Sequence, residues 1–129
     1  MSSQLTLEIL ISTMNRIDLS FLENMFPKLD LNRYSILIIN QTELDQDLES
    51  DIQGIRVINS RVFGLSKSRN LGIENASGDI LVFADDDIEY LPNFDQIIFE
   101  AYSTFDKASL ISFQFLADKP NYMKKYRLK

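Results

Sequence analysis

The chain has no cysteine, no histidine and no tryptophan, and its three prolines and four glycines are scattered over 129 residues. Without cysteine there can be no disulfide, no thiolate metal site and no cysteine nucleophile. Without histidine the usual neutral-pH base and the usual zinc ligand are missing too. Any metal must be held by oxygen, which favours magnesium, manganese or calcium. No apolar run is long enough to cross a bilayer. The N-terminus, "MSSQLTLEIL", lacks the basic start and small-residue cleavage site of a secretory signal. A cytoplasmic setting is the expectation. No repeat, linker or low-complexity stretch interrupts the sequence, so one domain is expected.

What is present fits an ordinary globular core: 45% apolar and 25% charged residues. The net charge of −6 is unevenly spread. Residues 1–118 hold 8 basic and 19 acidic residues, whereas residues 119–129 hold five basic and no acidic ones. An acidic body argues against nucleic acid as a partner, which wants a basic footprint. The tail "KPNYMKKYRLK" reads as a solvated terminus. Its mixture of bases and aromatics would also suit the inner face of a membrane. The domain is therefore placed at 1–118 and the basic tail at 119–129.

Hydrophobic periodicity switches repeatedly between strand and helix. Apolar runs at Leu7–Thr13, Tyr34–Asn40, Ile55–Ser60, Ile80–Ala84 and Ser109–Leu116 predict five strands. Asp18 is expected to cap a helix whose apolar side carries Ile17, Phe21, Leu22, Met25, Phe26 and Leu29. The acidic stretch between the second and third runs is expected to be a solvated loop or short helix. Ser66 is expected to cap a second helix that stops near "ASGD", with Gly78 in the left-handed conformation. After Pro92, the residues Phe94, Ile97, Ile98, Ala101, Tyr102 and Phe105 fall at helical spacing. Buried strands alternating with amphipathic helices imply an α/β layer fold with a mostly parallel sheet of about five strands. Ligands of such sheets bind beyond the carboxyl ends of the strands. Polar residues gather there: Ser12 and Thr13, Asn40 and Gln41, and Asp85, Asp86 and Asp87.

The acidic triplet is the sharpest feature. Like charges at a strand end repel unless something positive sits among them. Alternation sends Asp85 and Asp87 one way and Asp86 the other. One side could then grip a divalent cation while the other accepts a hydrogen bond from a neighbouring hydroxyl. A cation of the magnesium type, held by one or two carboxylates, completes its shell with substrate phosphates. A phosphorylated, nucleotide-like ligand is the expectation.

The stretch "GLSKSRNLGIENASGDILVFADDDIEYLP" (64–92) resembles the Ser-x-x-Arg-Asn-x-Gly, Ala-x-Gly and Asp-x-Asp segments of family 2 glycosyltransferases, and "STMNR" (12–16) resembles the opening loop of that family without its frequent proline. The resemblance spans nearly the whole chain and implies a Rossmann-like GT-A layer fold. It implies that Asp87 is the main metal ligand (manganese or magnesium) and that Asp85 and Asp86 share metal and ribose contacts. Ser12 and Thr13 would line the nucleotide pocket. Asn40 and Gln41 stand where the family typically carries aspartates, and as amides could hydrogen-bond a base. Arg69 could face the nucleotide, while Asn70 and Gly72 would serve helix packing.

The implied reaction moves a sugar from a nucleotide-diphospho-sugar donor to an acceptor hydroxyl of a glycan or lipid-linked glycan, as in polysaccharide biosynthesis. The family's general base lies further downstream, and nothing near Asp118 resembles it. The sequence is therefore expected to cover the donor-binding half. The alternative is a nucleotide-sugar-binding or interaction module without turnover. A response-regulator receiver would need acids after the first strand, and a nucleotidylyltransferase a glycine-rich loop there; "STMNR" offers neither.

Overall fold

A computed structural model of the protein describes residues 5–113. The chain divides into two compact units, Met1–Phe94 and Asp95–Lys129.

In the first unit the aliphatic runs pair as β1 (Leu7–Met14), β2 (Ser35–Gln41), β3 (Ile55–Ser60) and β4 (Ile80–Asp85). All three pairings are parallel and the strand order is β3-β2-β1-β4. The chain steps outward from β1 to β3, then crosses back through α2 (Leu65–Asn75) to lay β4 on the other side of β1. The order reverses between β1 and β4. In open α/β sheets the crevice beyond that reversal is where ligands bind.

Alternation divides the core between two faces. Leu10, Leu37 and Ile39 form one face, packed with Ile58, Leu71, Ala76 and Leu81. Ile9, Ile11, Ile36 and Ile38 lie on the other and are fully buried, so both faces are covered. Gly72, buried where α2 packs on the first face, leaves room for a methyl group: a Cβ there would make ordinary contact, 3.5 Å from Leu10 and 3.8 Å from Ile39. Its neighbour Asn70, expected to pack, is exposed instead.

Glu8 sits wholly buried at the amino end of β1. Its carboxylate accepts hydrogen bonds from Arg56 Nη2 (2.9 Å), the Ser77 N–H (2.6 Å) and the Gly78 N–H (3.4 Å). Burial pushes its pKa up, but Arg56 and the two amides more than offset that, and the net effect is a pKa below the ordinary value. Glu8 is therefore an ionised staple that joins β1, β3 and the turn before β4.

Several local expectations change. The first helix is only α1 (Phe21–Met25), and Asp18 does not cap it. The Asp18 carboxylate accepts from the Ser20 N–H and hydroxyl, a local turn that competes with an earlier helix start. Ser66 lies inside α2, and the cap position belongs to Gly64, whose φ of 131° suits glycine. Gly78 is not left-handed. Ala76 is already extended, and Gly78 is required by crowding: a Cβ would lie 2.8 Å from the Glu8 nitrogen. The acidic segment 43–53 is loop, with no helix.

A 3-10 turn (Leu31–Arg33) precedes β2. Phe26, Tyr34, Tyr90 and Phe94 stack in a cluster with ring centroids 5.2–6.1 Å apart. The Tyr90 N–H donates to the Met25 carbonyl at 2.7 Å. The segment following β4 is thereby fixed without belonging to a regular element.

α3 (Phe94–Thr104), all but its first residue in the second unit, forms as expected, with Ile98 buried. Phe105 lies past its last turn and is exposed. The expected fifth strand does not form over its described part: residues 109–113 have no ladder partner among the described residues, and Leu110 is exposed. Its remainder, residues 114–116, and the tail 119–129 lie outside the described residues. Among the described residues no helix is long and apolar enough to cross a membrane.

Candidate functional site at the β1–β4 switch point

Register alone assembles the carboxyl edge of the sheet. Thr13 pairs with Asn40, Asn40 pairs with Asn59, and Ser12 pairs with Asp85. Beyond β1 the chain turns at Asn15, whose φ of 52° is left-handed and tolerable for asparagine. Its N–H donates to the Gln41 carbonyl at 2.9 Å. That turn brings Arg16 back over the strand ends.

Arg16 is the positive group among the carboxylates. Its Nε donates to Thr13 Oγ1 at 2.9 Å and its Nη2 to Asp86 Oδ2 at 3.1 Å. The Thr13 hydroxyl also donates to Asp86 Oδ2, at 2.7 Å. The guanidinium lies 4.6 Å from the centroid of the Phe21 ring, a cation–π contact. One oxygen of Asp86 is thus engaged and its side chain is half-buried, while Asp85, the last residue of β4, and Asp87, in the turn beyond it, are exposed. Arg69 reaches Asp85 at 3.9 Å from α2, with its guanidinium 5.6 Å from the Phe83 ring. An ion pair this exposed contributes only about 0–1 kcal/mol, so Asp85 stays available to a ligand.

Behind the acids lies a second layer of polar contacts. Asn40, fully buried, accepts from the Arg16 N–H and donates to both the Arg16 carbonyl and Asn59 Oδ1, each at 3.0 Å. The Gln41 Nε2 donates to the Gly64 carbonyl at 2.8 Å, holding the entry to α2. Ser68, buried on α2, donates to Ser12 Oγ at 2.7 Å. Tyr90 borders the acids from the other side. Burial pushes its phenol up to about 12, with the Asp85 and Asp87 charges adding to the rise and a backbone hydrogen bond from Asp85 opposing it. At neutral pH it is a neutral group beside the exposed carboxylates.

The structure therefore brings Ser12, Thr13, Asn40, Gln41, Arg69, Asp85, Asp86 and Asp87 to one edge. It directs the amides of Asn40 and Gln41 into the protein's own backbone. Sequence reasoning gave no role to Arg16 or Ser68, although the crowded carboxylates themselves called for a cation. Among the described residues no group of three or more carboxylates is arranged around a metal position. Two exposed carboxylates remain, and that donor set fits a hard ion that takes its other ligands from phosphate and water. A groove lined by Asp47, Leu48, Glu49 and Arg56 runs along the β3 edge and reaches Asn59, but contains none of these residues.

A parallel β3-β2-β1-β4 sheet with polar residues gathered at its reversal defines an α/β domain of the Rossmann-like GT-A kind. Residues 9–127 match the model of glycosyl transferase family 2, and the chain belongs to that family. No curated protein matches the sequence significantly.

Proposed function

We propose that this glycosyltransferase-like domain binds a nucleotide-diphospho-sugar through a divalent ion, manganese or magnesium, for transfer of the sugar to an acceptor hydroxyl on a glycan or lipid-linked glycan. One observation carries the reading: Thr13 and Arg16 engage one oxygen of Asp86, whereas Asp85 and Asp87 stand exposed at the switch point. Asp87 and Asp85 would hold the ion, and the ion when bound would neutralise charge on the leaving diphosphate. Ser12 and Thr13 would line the nucleotide pocket at the end of β1. Arg69, loosely paired with Asp85, would turn toward the donor. Asn40 and Gln41 would shape the pocket by fixing its loops.

The test is thermal unfolding of the chain with Mn²⁺, with UDP or GDP, and with both. At one hundred times the dissociation constant a ligand adds about 2.7 kcal/mol of stability. The combined ligands are expected to raise Tm by several degrees more than the two separate effects. Absence of any shift with either nucleotide and Mn²⁺ would sink the reading.

A further inference from the structure

We propose that Asn40 is a positioning residue that sets Arg16, and through it Asp86, and that only a side chain with both a donor and an acceptor can do so. The inference rests on the proposed reading of the acidic edge for its functional consequence, but not for its geometry.

Asn40 grips the main chain of Arg16 at two points, accepting from its N–H and donating to its carbonyl. Only one orientation of the amide satisfies both, because the reversed amide would set donor against donor and acceptor against acceptor. The second Nδ2 proton goes to Asn59 Oδ1. Asn59 is held in turn by Leu48, accepting from its N–H at 3.0 Å and donating to its carbonyl at 2.9 Å. The amides thus form a directional row across the ends of β3 and β2, ending at Arg16. The Arg16 guanidinium then meets Thr13 and Asp86.

An aspartate at position 40 has nearly the same shape but no donor. One of its oxygens would still accept from the Arg16 N–H, but the other, in place of Nδ2, would face both the Arg16 carbonyl and Asn59 Oδ1 with no proton to give either in a fully buried site. Asn59 could not relieve this by flipping without breaking both bonds to Leu48. Neutral asparagine is therefore the requirement for this loop. With its amide engaged inward, Asn40 shapes the crevice through Arg16 rather than by contacting a base.

The experiment follows the arginine Nε–H signals of the 129-residue chain by NMR, with the Arg16 signal identified by its loss in Arg16→Lys. In the unaltered protein that proton is expected to exchange slowly. In Asn40→Asp its exchange should rise about tenfold or more, the equivalent of losing one hydrogen bond, while the methyl signals of Ile9, Ile11 and Leu37 stay in place. Mn²⁺-dependent UDP affinity, measured calorimetrically, should fall by about tenfold, the lower end for loss of a supporting contact. An unchanged Arg16 signal in a folded Asn40→Asp variant overturns the proposal, as does unchanged affinity once that signal has loosened. If the unaltered chain binds no UDP with Mn²⁺, the proposed function fails, and the ligand-free exchange measurement still decides the role of Asn40. If Asn40→Asp does not fold, Asp86→Asn decides. Arg16 should then loosen while the Asn40 amide protons remain protected. Loss of both protections would mean that Asp86 holds Arg16 and Asn40 merely follows, which overturns the order inferred.

Discussion

Glu8 and Asp87, at opposite ends of the sheet, show how differently a buried and an exposed carboxylate can be used. Glu8 is ionised with no exposed surface because Arg56 and two backbone amides outweigh its desolvation. Its folded pKa lies below the ordinary 4.5, so the unfolded chain binds the proton more tightly. The stability it supplies is full above that ordinary value and is lost as pH falls through the folded one. Glu8→Gln should cost about 1–3 kcal/mol at pH 7, read as a lower urea midpoint with unchanged slope. The same change should flatten the acid limb of stability below the ordinary value. Asp87, by contrast, is exposed and has no hydrogen bond among the described residues. Asp87→Asn should leave the ligand-free Tm unchanged or slightly higher, since a like charge is removed. It should abolish the extra Tm rise that Mn²⁺ gives in the presence of nucleotide. Tyr90 titrates in the opposite direction to Glu8. Its raised pKa contributes stability present below pH 10 and lost as pH rises toward about 12. Tyr90→Phe should shrink the late phase of the tyrosinate absorbance titration and flatten that alkaline loss.

At the scale of elements, α2 and the turn that follows it place two glycines under opposite constraints. Gly72 lies within a helix with room for a methyl group, the nearest atom being 3.5 Å from the added carbon. Gly72→Ala should therefore stabilise the protein by about 0.4–1 kcal/mol through reduced freedom of the unfolded chain. Gly78→Ala should destabilise it by about 1–3 kcal/mol, because the methyl would be driven into the Glu8 backbone. Thermal unfolding of the two variants checks both signs. Strands were the most legible elements, since a run such as "ILIIN" can be satisfied only by burial on both faces. The described part of the apolar run, residues 109–113, shows the limit of that rule, because an apolar segment becomes a strand only where a ladder partner is offered. Helix boundaries were less legible. Asp18, Ser66 and Gly78 each carry the right chemistry for a cap, but the chain uses a local turn, an interior helical position and a crowded passage instead.

For the whole molecule, the clustering of polar residues at one edge was readable because strand ends in a parallel sheet share a side. The division of labour among them was not. Nothing in "DDD" says that Asp86 is closed by an arginine seventy residues earlier, because that contact depends on the turn at Asn15 and on the amide behind it. The burial of Glu8 was hidden for a similar reason: its partners come from β3 and from the turn before β4. The strand order has a further consequence, which belongs to the time course of folding. β1 and β2 are separated by one short excursion, but Thr13 and Asp86 are joined across 73 residues of chain. Closing so large a loop costs more entropy than closing the β1–β2 segment, and such distant pairings slow folding. The two walls of the crevice are therefore expected to meet later than the β1–β2 pair forms. A nascent or partly refolded chain can hold an intact β1–β2 pair and still have no place to receive a ligand.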